Sequence, residues 1–196
     1  MAGGVLTNPM TNERFVRMPA PFDRLRIEVQ APLHMVRPPL HLHCHSAESF
    51  QIIEGSATVL VDGTERVLRE GDVLEVVPGT PHTWWNSGDG LLRFLTEFRP
   101  ALRMQSFFET LCGLATEGRK PDVLQVAASA ALWDTYLASP PEMVQRALFA
   151  LLRPLAWGCG YRASYARFDG TFDAPAEASD HSQFEAEEVA STRRTA

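Results

Sequence analysis

His41-Leu42-His43-Cys44-His45-Ser46-Ala47-Glu48-Ser49-Phe50-Gln51-Ile52-Ile53-Glu54-Gly55 is the stretch on which the reading of this chain turns. Its apolar, alternating context has the period of a β-strand, in which residues two apart share a face. His41, His43 and His45 therefore converge on one side, with the carboxylate of Glu48 following. Imidazole and carboxylate together suit zinc, iron, manganese, nickel or copper, and crowding so many such groups into one short strand is costly for an ordinary core. A metal site is the economical explanation.

A second stretch completes the constellation, running from Gly71 through Val77-Pro78-Gly79-Thr80-Pro81-His82 to Trp84, Trp85 and Asn86. A Gly-Asp turn leads into a short apolar strand, Pro78-Gly79 makes the next turn, and His82 opens another strand.

Together the two stretches resemble the paired motifs of the cupins, small β-barrels whose first motif runs His-x-His-x4-Glu-x6-Gly and whose second runs Gly-x5-Pro-x-Gly-x2-His-x3-Asn. His41, His43, Glu48 and Gly55 fall on the first without a gap. Gly71, Gly79, His82 and Asn86 fall on the second, with Val77 where the family usually has proline. Two independently spaced motifs over roughly residues 20 to 100 make the resemblance specific. It implies a mainly β fold, a cupin-type antiparallel β-barrel of the jelly-roll kind. It also implies that His41, His43, Glu48 and His82 bind one divalent metal, Fe2+ favoured over Mn2+, Ni2+ or Zn2+. By alternation His45 could face the same cavity, so His43, His45 and His82 form an alternative ligand set. Only the His41/His43 register gives the x4 spacing to Glu48.

Alternation places Phe50 and Ile52 on the face of Glu48 and Trp84 on that of His82, which predicts an apolar, aromatic substrate pocket completed by His45 and Asn86. Gln51 alternates outward. Glu48 is the expected catalytic residue, leaving the metal to act as general base with its pKa raised by the apolar surroundings. The chain resembles the quercetinase-like single-domain cupins, which implies a dioxygenase acting on an enolisable or phenolic small molecule. The alternatives are a non-oxidative metal-dependent isomerase, cyclase or lyase, and a small-molecule-binding cupin without turnover. Fold does not choose among them.

Composition narrows the setting. The 196 residues, 45% of them hydrophobic, suffice for one barrel with an appendage and a sizeable core. A formal net charge of −6 weighs against a nucleic-acid partner. Cys44, Cys112 and Cys159 lack CxxC spacing and point to a reducing compartment. Cys44 alternates away from the ligands and reads as a small buried side chain. The start Met1-Ala2-Gly3-Gly4-Val5-Leu6 is unlike a signal peptide, and the longest apolar stretch, 147–161, contains Arg153 and Pro154. A cytoplasmic protein, a small-molecule substrate, no membrane and a homodimer are expected.

Residues 1–20 hold turn formers and read as an arm wrapping a barrel of residues 21–100. Strands are expected near 24–30, 33–36, 39–45, 48–54, 56–61, 65–69, 73–77, 81–86 and 91–99, with a tight hairpin at Asp62-Gly63. After Pro100 the period becomes helical, giving an extension over 101–168. A capping box at Ser106–Glu109 opens a first helix with a Phe107, Leu111, Leu114 stripe. A second helix is expected over 122–138, with Leu124, Ala127, Ala131 and Leu132 as its stripe. A third follows Pro141 with Val144, Leu148, Leu151 and Leu155 as its stripe, kinked or ended by Pro154. These helices are expected to cover the barrel, form a dimer face, or lid the mouth. From Asp169 the chain reads as a disordered tail to 196, whose removal from residue 172 should leave the melting temperature unchanged.

Overall fold

The computed structural model describes residues 4–173. Its strands are β1 (Val5–Asn8), β2 (Glu13–Met18), β3 (Leu25–Ala31), β4 (His41–His43), β5 (Ala47–Glu54), β6 (Ser56–Val61), β7 (Thr64–Arg69), β8 (Val73–Val76), β9 (His82–Asn86) and β10 (Leu92–Arg99). Then come helices α1 (Met104–Thr116) and α2 (Val123–Trp133), strand β11 (Thr135–Leu137) and helix α3 (Glu142–Gly158). The strands form two antiparallel sheets, in the orders β1-β2-β3-β10-β5-β8 and β11-β4-β9-β6-β7. No described helix is long and apolar enough to cross a membrane.

Period-two patterning builds the interior. Leu25, Ile27, Val29 and Ala31 on β3 are buried together with Leu92, Phe94, Thr96 and Phe98 on β10. Their alternate neighbours stay at the surface, where Arg26 pairs with Glu97 and Arg93 with Glu28. Ion pairs at a sheet surface, half-buried as these are, contribute modestly to stability. Phe50 and Ile52 of β5 join the same core, so Glu48, two residues before Phe50, also points inward. At the β6–β7 hairpin, Asp62 (φ 46°) and Gly63 (φ 75°) both take positive φ, as a tight two-residue turn requires.

Gly55 joins β5 to β6 at φ +82°, and a Cβ there would lie 2.8 Å from the Leu91 carbonyl oxygen. Gly55→Ala is expected to destabilise the fold by about 1–3 kcal/mol through backbone strain and this contact. Gly63→Ala should cost less, since nothing lies within 4 Å of its Cβ position. The denaturant midpoints of the two variants test the ranking.

The flanks depart from the sequence reading. Residues 5–18 are two strands of the larger sheet rather than an arm, because Leu6, Phe15 and the strand pairing with β3 tie them to the core. Residues 33–36 are turn and loop, not strand. Helix α1 starts two residues before Ser106, on a turn in which the Met104 N–H donates to Ala101 O, and no side chain caps it. Met104, Phe108 and Cys112 face the main core, and of the expected stripe Leu114 is buried as well while Phe107 and Leu111 are half-buried.

Asp122, expected as the first residue of the second helix, caps α2 instead, accepting from the N–H groups of Leu124 and Gln125. The helix then stops at Trp133 because Asp134 turns left-handed (φ 55°) and Thr135-Tyr136-Leu137, β-branched and aromatic, pair with β4. Ala131 and Leu132 are left exposed. Helix α3 runs on through Pro154 to Gly158. The hydrogen bond that proline forgoes is to the carbonyl of Ala150, an exposed residue that water can serve. Its Val144, Leu148, Leu151 and Leu155 stripe faces outward, while Gln145, Phe149 and Ala156 pack inward.

The expected tail begins in the core. Phe172 is 0% exposed and packs near Phe108. Glu109, read from sequence as half of a capping box, instead accepts from the N–H groups of Gly170 and Phe172 at 3.0 and 3.2 Å. The rest of the expected tail, 174–196, lies outside the described residues.

Candidate metal centre

The two motifs meet between the sheets. β4 carries His41 and His43, β9 opens with His82 directly opposite His41, and β5 brings Glu48 from the facing sheet. Each of the four offers one ligand atom, and these atoms all lie within 4.8 Å of one another. His43, Glu48 and His82 are buried, while His41 reaches the edge.

Backbone carbonyls fix the rings. His41 Nδ1 lies 2.8 Å from Pro39 O, His82 Nδ1 2.9 Å from Thr80 O, and His43 Nδ1 3.3 Å from Asp134 O. A carbonyl only accepts, so each Nδ1 carries a hydrogen and donates it. Every Nε2 is then free to face Glu48. The His82 Nε2 approaches Glu48 Oε2 at 2.9 Å, and that of His43 lies 3.3 Å from the same oxygen without making a hydrogen bond. Thr96 Oγ1 donates to the other carboxylate oxygen at 2.9 Å. A buried imidazole nitrogen without a partner, aimed at a buried carboxylate, is the arrangement a divalent cation satisfies. The residues present fit one.

Charge follows the same geometry. Burial opposes ionisation of Glu48, but the neighbouring His43 and His82 nitrogens outweigh it and hold the carboxyl well below the usual carboxylate range. The pKa of Glu48 is therefore lowered where a raised one was expected: the apolar shell is there, but two imidazoles dominate it. Burial also opposes a charge on His82, yet its bond to Glu48 raises its pKa. Burial, then the nearby His82 and His43, push His41 down to about 4.

In the metal-free protein the proton on His82 takes the cation's place. This pairing stabilises the fold below the ordinary histidine pKa of about 6.5 and fades as pH rises through the raised value of His82. Glu48 loses its share only as pH falls through its depressed value. The His82 proton must leave before Nε2 can ligate. Zn2+ affinity is thus expected to climb with pH up to His82's raised pKa and level off above it, with about one proton released per ion below it. Calorimetry in buffers of different ionisation enthalpy counts that proton, and a pH-independent affinity would contradict the ring assignment. His41 adds no competing proton above pH of about 4.

The predicted pocket residues divide. Phe50 stands edge-on to His82 at 6.4 Å between ring centroids. Ile52 and Trp84 sit in the core, Trp84 edge-on to Phe94 at 4.7 Å. His45 leaves the group altogether: β4 ends at His43, the chain bends, and the exposed imidazole meets Asp134. Asn86 donates to the carbonyls of Ala31 and Gly90 and accepts from Gly88 N–H, so it pins a loop instead of facing the pocket. Gln51 is exposed as expected, and Cys44 packs towards the α2–α3 cluster.

Sequence reading missed four contributors. Phe98 packs edge-on to His43 at 5.5 Å, and Thr96 holds Glu48. The alternation of β10 could have exposed both, since they share its inward face. Asp134 and Thr135 reach His43 from 91 and 92 residues away, with no local signal.

Residues 32–97 match the family model described as cupin domain. The "Probable oxidoreductase yanE" of Aspergillus niger is 29% identical over 168 residues, covering 76% of this chain and 65% of that protein. An oxidoreductase of Arthrobotrys oligospora is 30% identical over 117 residues, covering 53% of this chain and 46% of that one. The chain thus spans less than two thirds of the length of either relative. Among solved structures, an RmlC-like cupin from Shewanella frigidimarina is 22% identical with a TM-score of 0.43, covering 49% of this chain and 83% of that one.

Proposed function

We propose that this chain, whose residues 32–97 match the cupin domain family, is a metal-dependent oxidoreductase acting on a small organic molecule, specifically a dioxygenase of an enolisable or phenolic substrate. The observation that carries the metal-dependent part is the convergence of three carbonyl-fixed imidazoles on one buried carboxylate. The oxidoreductase part is supported by the names of the two fungal relatives.

His41, His43, Glu48 and His82 would hold one divalent ion. When bound, such an ion supplies Lewis acidity and, in the case of iron, electrons for reaction with dioxygen. The protein's own part is orientation and exclusion of water. Fixed tautomers present Nε2 without rotation on binding. Glu48, kept ionised and steadied by Thr96, serves as a ligand in preference to a base. Phe50 and Phe98, buried edge-on beside His82 and His43, make the surroundings of the ligands apolar and aromatic, which suits a ring or an enol better than a sugar phosphate.

The test is elemental analysis of protein purified anaerobically without a histidine tag, followed by oxygen-electrode assays against enolisable and phenolic substrates. Near-stoichiometric iron, manganese or nickel with substrate-dependent O2 uptake is expected. Bound metal with substrate consumed but no O2 taken up would replace the dioxygenase reading by isomerase or lyase chemistry. Protein that takes up no metal even on reconstitution would remove the metal-dependent reading itself.

A further inference from the structure

We propose that the segment after α2 is a working part of the metal centre, with Asp134 and Thr135 positioning His43 for ligation. This rests on the metal-dependent reading above and adds residues that neither cupin motif contains.

The ligand strand β4 is three residues long, and its register with β9 is a single pair, His41 with His82. Its other edge is held along its whole length by β11, with Thr135 opposite His43 and Leu137 opposite His41. The extension therefore supplies the neighbour that keeps the ligand strand in place.

Asp134 adds a clamp. It is 3% exposed and sits at the left-handed end of α2, a conformation aspartate tolerates better than most residues. Its Oδ2 accepts from the backbone N–H groups of His45 and Ser46 at 2.7 and 3.0 Å, and its Oδ1 lies 2.6 Å from His45 Nδ1. These bonds fix the bend between β4 and β5, the short connection between His43 and Glu48.

The third element is the tautomer. Two oxygens lie 3.3 Å from His43 Nδ1, the carbonyl of Asp134 and Oγ1 of Thr135. The Thr135 hydroxyl spends its own hydrogen on Trp133 O at 3.0 Å, so towards His43 it has only lone pairs. Both neighbours accept, and Nδ1 must donate. The Nε2 lone pair is thereby aimed at Glu48, where it has no hydrogen-bond partner. Fixing a ligand histidine through its other nitrogen is worth roughly 10–100-fold in metal affinity in metalloproteins.

The test compares Zn2+ affinity of wild type with Asp134→Ala, Asp134→Asn and His45→Ala, alongside thermal melts of the metal-free proteins and long-range 15N–1H spectra of the His43 ring. The expected result is a loss of about 10–100-fold in Asp134→Ala, a smaller loss in Asp134→Asn and near-wild-type affinity in His45→Ala, whose backbone N–H still reaches Asp134. Metal-free wild type should show His43 with hydrogen on Nδ1. Should Asp134→Ala not fold, Asp134→Asn, which keeps the size and an accepting oxygen, carries the comparison. Wild type that binds Zn2+ together with folded Asp134 variants of unchanged affinity would overturn this proposal alone, as would a hydrogen found on His43 Nε2. Wild type that binds no Zn2+ would overturn the metal-dependent reading and this proposal with it.

Discussion

His41→Ala is expected to weaken divalent-metal binding at least about a hundredfold, since losing even a group that only orients a ligand costs 10–100-fold. The metal-free protein should melt within about 4 °C of wild type, corresponding to a loss of roughly 1 kcal/mol. His41 stands at the edge of the site, and apart from its proposed ligation its ring makes one hydrogen bond, to Pro39 O. Its removal leaves the Glu48–His82 pair whole. His82→Ala, by contrast, strips the nearer of its two imidazole partners from a buried carboxylate, and breaking one half of such a pair costs about 3–5 kcal/mol. The two variants therefore lose metal alike but differ in metal-free stability. Zn2+ titration and melting of both measure this, and a His41→Ala protein that still binds at wild-type affinity would remove His41 from the ligand set.

Phe172→Ala should destabilise the protein by about 3–5 kcal/mol, the usual cost of emptying a buried phenylalanine site. For a chain of this size that lowers the melting temperature by roughly 6–20 °C. The ring is fully buried in the main core, and its backbone is tied on both sides, by Glu109 accepting its N–H and by Gly4 N–H donating to its carbonyl at 2.9 Å. Truncation before residue 172 should do the same damage. A shift under about 2 °C in the thermal melt would show that this turn does not dock.

The contrast between these two residues shows what local pattern can and cannot carry. His41, His43, Glu48 and His82 were legible because strand alternation and motif spacing are local, and the sheets bring the four together as the spacing required. The same rule failed for His45 as soon as β4 ended, because alternation holds only while the backbone stays extended. Asn86 kept its motif position but spends its amide on the carbonyls of Ala31, at the end of β3, and of Gly90. Glu109 showed a capping signature and was taken up by a turn more than sixty residues away.

By itself, then, the sequence determined most of the strands between Leu25 and Arg99 and the Asp62-Gly63 hairpin, which follow from periodicity and turn chemistry within a few residues, while its resemblance to the paired cupin motifs picked out the four side chains of the candidate centre. Only the tertiary structure decided how the centre is held and charged. The depressed pKa of Glu48 depends on two imidazoles carried by other strands. The strand Thr135–Leu137 exists because β4 offers an edge for it to pair with. Phe172 is core because α1 and the first strand leave it a place. In each case the deciding partner sits on another element, and hydrogen bonding and burial answer to distance in space rather than along the chain.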